Sequence, residues 1–219
     1  MWQVVGLFWI VSLGLGSPRL EAGVSLFGSI LYESSSKPVG NAVLWMKIPG
    51  HKPTRKLKLE SMVQRGKELI PRVMVAPTQT EVYFPNEDPI FHNIFSFNKI
   101  KKLDLGNYKG KGRPIVFEEA GVYPIGCSIH PWMSAYILIV DTPFFSKTSA
   151  LGNYSLKGLR PGEHTIHLWA ADFKKTLTQT VILKDGVNSL DWAVPASEVK
   201  KKRRRRKRKK SKRGYSSGY

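Results

Sequence analysis

A single cysteine in 219 residues cannot form an internal disulfide, so Cys127 is a buried passenger, an intermolecular link or a thiolate with a chemical task. Its neighbours favour the task. In the run CSIHPWM an imidazole, His130, stands three residues after the thiol and a thioether, Met133, six residues after it. A second imidazole, His92, lies 35 residues upstream in the strand-like stretch PIFHNIFSF. One thiolate and two imidazoles in a trigonal plane, with a weak thioether on the axis, are the donor set of a blue-copper centre. The spacing has a physical basis. A loop leaving a strand after Cys127 can turn back so that His130 and Met133 face one point, and His92 on a neighbouring strand closes the triangle. A site held between the geometries of the two copper oxidation states moves little when an electron arrives, so the implied chemistry is one-electron transfer. Two sulfur-poorer alternatives stay open: two histidines and one cysteine also suit zinc, and a degenerate site would leave Cys127 as an ordinary buried thiol. Chance readily supplies a cysteine near a histidine, but much less readily the methionine, the earlier His-Asn pair and an export-type leader together.

Strands must position these groups. Residues 24–48 read as two strands around a Ser/Lys/Pro/Gly turn, and residues 57–70 fit a short helix or a strand equally. From Val73 onward, RVMVAP, EVYFP, HNIFSFN, PIVFEEAGVYPIG and AYILIVD are short runs rich in Val, Ile, Phe and Tyr, each stopped by Pro, Gly, Asn or Asp. That spacing predicts an all-β sandwich. A second strand-turn series spans 151–195, with Asp185-Gly186 as a hairpin-type turn. With 42% hydrophobic residues, including 6 Trp, 8 Tyr and 10 Phe, the chain can bury a core, and 19 Gly with 14 Pro favour turns over long helices.

On these motifs, residues 57–141 resemble the cupredoxins, and C-x-x-H-x-x-M is similar to the short ligand loop of the amicyanin type. FPNEDPIFHNIFSF, LDLGNY and FEEAGVYPIGCSIHPWMSAYILIVDTPFF resemble the methylamine utilization protein-like cupredoxins of bacteria. The resemblance implies the Greek-key form of the sandwich for residues 57–141, and one type 1 copper ion held by His92, Cys127, His130 and Met133. It also implies that Asn93 directs its backbone N–H at the Cys127 sulfur and ties the two ligand loops together with its side chain. GSILYESSSKPVGNAVLWMK and TSALGNYSLKGLRPGEHTIHLWA look like parts of a carboxypeptidase regulatory-like (transthyretin-like) β domain. The implied organisation is a signal peptide at 1–22, a cupredoxin domain at 51–141 set within a regulatory-like domain at 23–50 and 142–195, and a tail at 196–219. Members of that group often carry His where this chain has Arg72 and Ala170. Neither position is a copper ligand, so these departures bear on extra metal contacts or partner choice.

Other candidate groups read more simply. His164 and His167 sit an odd three residues apart on a strand, so their side chains point to opposite faces. His51 precedes a Lys/Pro loop without partners. Glu87 and Asp88 are expected to be solvated loop acids, since adjacent side chains diverge. Pro131 and Trp132 beside His130 would form the apolar rim through which that ring meets a redox partner, in an interface below ~1,200 Å². Lys99, Lys101, Lys102, Lys109, Lys111 and Arg113 form either a basic docking rim for an acidic partner or a solvated charged loop.

Residues 2–16 carry no charge and are fewer than the ~20 apolar residues of a spanning helix, so they read as a secretory leader, with cleavage before Ser17 or after Ala22. A periplasmic or secreted location follows. The net charge of +19 is concentrated in Lys200, Lys201, Lys202, Arg203, Arg204, Arg205, Arg206, Lys207, Arg208, Lys209, Lys210, Lys212 and Arg213. This run should repel itself, stay disordered and bind polyanions. Export makes anionic lipid or another envelope polyanion a better match than nucleic acid, and a merely solubilising tail is the alternative. Five histidines are too few for a multicopper oxidase, and one cysteine is too few for a dinuclear copper centre. The expectation is therefore an electron carrier and not a substrate-converting enzyme. A copper carrier or sensor, and a polyanion-binding envelope protein with a degenerate site, are the rivals.

Overall fold

The computed structural model describes residues 23–47 and 59–201. The leader-type segment 1–22 and the basic run from 202 onward lie outside the described residues, as does His51. The described chain opens with β1 (Val24–Tyr32) and β2 (Val43–Met46). Ten strands follow: β3 (Leu59–Ser61), β4 (Val63–Arg65), β5 (Glu68–Ile70), β6 (Val73–Pro77), β7 (Thr80–Tyr83), β8 (His92–Phe97), β9 (Lys102–Tyr108), β10 (Pro114–Phe117), β11 (Gly121–Gly126) and β12 (Ser134–Val140). The remainder are β13 (Phe145–Lys147), β14 (Asn153–Leu159), β15 (Gly162–Trp169), β16 (Leu177–Leu183), β17 (Val187–Ser189) and β18 (Trp192–Val194), closed by a 3-10 turn over Ala196–Glu198. No helix among the described residues is long and apolar enough to cross a membrane.

Alternating apolar residues sort these strands into two sandwiches. In the first, a sheet ordered β14-β1-β17, with β18 also on β1, packs on a sheet ordered β13-β2-β15-β16. Leu26, Ile30, Leu44, Met46, Leu156, Ile166, Leu168 and Phe173 fill the space between them. In the second, β10-β7-β3 packs on β6-β12-β11-β8-β9, and β4 and β5 form a separate pair. Its core holds Met62, Met74, Val82, Phe84, Ile94, Phe117, Tyr123 and Ile137. A third apolar cluster, Val43, Val73, Leu138, Val140 and Trp169, joins the two sandwiches.

Three expectations change here. The ambiguous segment before Ile70 holds three short strands, β3 to β5, and no helix in its described part, with Met62, Gln64 and Leu69 buried. The Asp185-Gly186 turn does not close a hairpin. Gly186 has φ 84°, but β16 pairs with β15 while β17 pairs in parallel with β1, so the turn carries the chain from one sheet to the other. Nor does disorder begin at 196. Val199 pairs with Phe173, the Lys174 N–H donates to the Glu198 carbonyl at 2.8 Å, and the Lys200 N–H donates to the Asp172 carbonyl at 2.8 Å. One apolar side chain, Val199, packing on the first core is enough to order the segment up to Lys200.

Candidate metal centre

Adjacent strands bring the donors together. His92 opens β8, Cys127 follows the last residue of β11, and these strands are neighbours with Gly126 opposite Phe95. His130 and Met133 lie in the loop from β11 to β12, whose ends are fixed by the Gly126–Ser134 pairing. Within it the Cys127 N–H donates to the Met133 carbonyl at 3.3 Å, and the Met133 N–H to the His130 carbonyl at 2.9 Å. The loop therefore folds back on itself. His92 is fully buried, Cys127 is 3% exposed and His130 is half-buried.

The three donor atoms form a compact triangle. His92 Nδ1 and His130 Nδ1 are 2.9 Å apart, and Cys127 Sγ lies 4.0 Å from the first and 3.9 Å from the second. A triangle with these sides has a point about 2.1 Å from every corner, within the ~2.0–2.3 Å span of transition-metal bonds to imidazole and thiolate. Among the described residues these are the three that cluster as possible metal ligands from His, Cys, Asp and Glu. Met133 is buried in the same core as Cys127.

A hydrogen bond aims His92. The Asp88 carboxylate accepts from His92 Nε2 at 2.8 Å, which places the proton on Nε2 and leaves the Nδ1 lone pair directed at the triangle. Asp88 also accepts from the Gly66 N–H at 2.6 Å and the Lys67 N–H at 2.8 Å. Burial of Asp88 pushes its carboxyl up, but the bonds from Lys67, His92 and Gly66 outweigh that and hold it below the usual carboxylate range. Asp88 is thus not the solvated loop acid expected from sequence. Glu87 is the solvated one, paired with Arg65 at 2.6 Å on the surface. The sequence does contain a signal for Asp88: it precedes His92 by four residues, and the Asp88 N–H donates to Asn86 Oδ1 at 3.0 Å in an Asx turn that swings it inward. Asn86 Nδ2 in turn donates to the Ile90 and Tyr108 carbonyls, pinning the loop ahead of His92.

Asn93 faces the ligand loop. Its Oδ1 accepts from the Ser128 N–H at 2.7 Å and the Ser128 hydroxyl at 2.8 Å, and its Nδ2 donates to Asp104 at 3.2 Å. His130 titrates below the ordinary histidine range. Desolvation is the main cause, the charges of His92 and Lys67 add to it, and Asp88 opposes it. A neutral imidazole is the form that ligates metal.

Outside the triangle, the His130 ring lies 5.3 Å from that of Trp132, which is 63% exposed, and Pro131 is exposed too. Ile90, Phe91 and Ile129, chain neighbours of the two histidines, are exposed as well, and Lys109 stands 4.6 Å over the Phe91 ring. Sequence reasoning missed these three, since scattered apolar loop residues carry no period. His164 and His167 do not converge. His164 is bonded to the Arg160 carbonyl at 2.8 Å, while His167 stacks on Trp45 at 5.1 Å.

The described residues define an all-β protein of two packed sandwiches, with a His2Cys donor triangle at one end of the second. No family model matches the chain, and no curated protein matches it. Similar solved structures exist. A Cu-containing nitrite reductase (NirK) from Thermus scotoductus SA-01 aligns at 24% identity and TM-score 0.37, over 44% of this chain but only 25% of that one. A purple cupredoxin from Nitrosopumilus maritimus aligns at 28% identity and TM-score 0.32, over 37% of this chain and 99% of that one. A proline-to-glycine mutant of amicyanin in its reduced Cu(I) form aligns at 16% identity and TM-score 0.36, over 41% of this chain and 97% of that one. Each overlap covers less than half of this chain, and the donor geometry stands independently of them.

Proposed function

We propose that this protein is an exported type 1 copper protein that passes single electrons between redox partners. The observation that carries this reading is the triangle of two imidazole nitrogens and one thiolate sulfur around a single point. His92, Cys127 and His130 would hold the ion, with Met133 as a further, weaker donor from the same loop. The bound ion supplies the one-electron chemistry, and the chain supplies rigidity and access. Asp88 fixes the His92 tautomer, and Asn93 ties the Cys127 loop to β8, so the donors have little freedom to rearrange. Burial of His92 and Cys127 slows exchange of the ion with solvent, which favours an electron carrier over a copper carrier. The half-buried His130 ring, rimmed by Pro131 and Trp132, gives a partner a short path to the centre.

The leader-type segment supports a periplasmic or secreted location. The basic run from Lys200 to Arg213 supports attraction to anionic lipid or an envelope polyanion, which would hold the protein near its partners. The test is to add Cu(II) to the purified protein and record visible and EPR spectra beside Cys127→Ser and His92→Ala. An intense thiolate-to-copper band is expected in the wild type and in neither variant. A colourless wild type would overturn the reading, and release of metal on reduction would instead indicate a carrier.

A further inference from the structure

A groove of about 880 Å³ lies between the two sandwiches and is lined at one point by Cys127; it shares Pro131 with the rim around His130 but does not include Trp132. Phe95, Phe97 and Pro124 of the second sandwich form its floor, Trp169 and Lys200 of the first form a wall, and Cys127 lies at its end. Gly126 makes this floor possible. A Cβ at that position would lie 3.0 Å from the Phe95 ring, so the glycine lets the ring rest on the strand that ends at Cys127. Phe95 meets Phe97 with ring centroids 4.9 Å apart, and Phe97 is 82% exposed. An aromatic pair therefore runs from the backbone beside the ligand sulfur to open solvent. A contiguous exposed apolar surface of this kind marks an interaction site.

Charge identifies the occupant. Lys99 and Lys200 line the groove, and Lys200 is held there by its bonds to the Asp172 and Ala171 carbonyls. Lys200 is also the first of thirteen basic residues within 200–213 of the sequence. An apolar floor with a cationic rim complements a protein surface that has an apolar centre and an acidic rim. A lipid headgroup plane is also anionic, but it is flat and cannot fill a concave apolar groove.

We propose that this groove docks an acidic redox protein, which exchanges one electron with the copper centre through the Cys127 side and the Phe95–Phe97 pair. The electron step rests on the copper reading above, whereas the docking does not. In that step Cu(I) loses one electron to become Cu(II), the oxidised centre of the partner gains it, and no bond or proton changes place.

The test uses one haem protein in two charge states: native basic cytochrome c, and cytochrome c whose lysines have been succinylated. Each is titrated into the metal-free, isotope-labelled full-length protein and followed by amide chemical shifts. The acidic form is expected to shift Phe95, Phe97, Gly126, Ser128 and Lys200, less so at high salt, and the native form is expected to leave them in place. Phe97→Asp should keep a dispersed spectrum and weaken binding at least ~10-fold, and Ile182→Ala, at an exposed residue that does not line the groove, should leave binding within about twofold. With Cu(I) loaded, reduction of the acidic cytochrome should slow by the same ~10-fold in Phe97→Asp. Shifts confined to Phe91, Ile129 and Trp132 would overturn the groove. So would shifts produced by phosphatidylglycerol vesicles but not by the acidic cytochrome. Docking is read without metal, so a colourless copper titration overturns the copper reading while leaving the groove result to stand or fall separately.

Discussion

Replacing Asn93 with alanine removes the side chain that holds the Cys127 loop against β8. Three hydrogen bonds go with it: two accepted from Ser128 at 2.7 and 2.8 Å, and one donated to Asp104 at 3.2 Å. Each is worth about 0.5–1.5 kcal/mol net, with the long bond at the low end, so the substitution should cost the second sandwich about 2–3 kcal/mol. Ser128→Ala deletes only the hydroxyl bond, or about 1 kcal/mol. That bond is lost in both variants, so the double variant should fall short of additivity by about 1 kcal/mol. Native-state hydrogen exchange at the buried amides of β8, β11 and β12 in the metal-free protein isolates this sandwich from its neighbour. Additivity to within about 0.3 kcal/mol, with Asn93→Ala costing less than about 0.5 kcal/mol, would refute the assignment of Asn93 as the tie between the two ligand loops.

Three further outcomes are expected. Asp88→Asn removes a negative charge one imidazole ring away from the donor triangle, so the copper reduction potential should rise, on the order of 50 mV by spectroelectrochemical titration; an unchanged or lower potential counts against the tautomer argument. The Asp191 carboxyl accepts from the Ser29 hydroxyl at 2.8 Å and its N–H at 2.7 Å, which hold it below the usual carboxylate range against an opposing effect of burial. A depressed folded-state value means stability that is present above the ordinary carboxylate range and lost as pH falls through the folded value, so melting temperatures of wild type and Asp191→Asn should differ at pH 7 and converge in acid. A constant gap would show that the charge is irrelevant. Gly28→Ala would place a Cβ 1.9 Å from the Leu190 carbonyl oxygen, so β1 must move, and denaturant unfolding should register a loss of about 3 kcal/mol in the first sandwich.

That His92, Cys127 and His130 cluster was legible because ligand chemistry restricts residue type. A thiol and two imidazoles leave few interpretations once Cys127 and His130 share one short loop. The groups that aim them were harder to see. Asp88 has the composition of any loop acid, and only the Asx turn at Asn86 separates its inward course from the outward course of Glu87. Strand existence was legible from β-branched and aromatic runs, but strand partners were not. Asp185-Gly186 carries a hairpin signature, yet β17 leaves β16 for β1, because register across a sandwich is set by tertiary packing and not by the turn alone.

The strand carrying AYILIV shows why the two sandwiches belong together. A strand with one wet face alternates apolar and polar residues, whereas β12 is apolar at nearly every position. Ala135, Ile137 and Ile139 point into the second core, and Leu138 and Val140 enter the cluster shared with Val43, Val73 and Trp169. Tyr136, on that outward face, meets the Trp169 ring at 5.4 Å, and both residues line the groove below Cys127. The first sandwich thus covers a face that would otherwise be an exposed apolar sheet, and it covers that face only in part. The uncovered strip runs from Tyr136 past Pro124 to Phe97, which places the groove on the sheet whose strand β11 leads into Cys127.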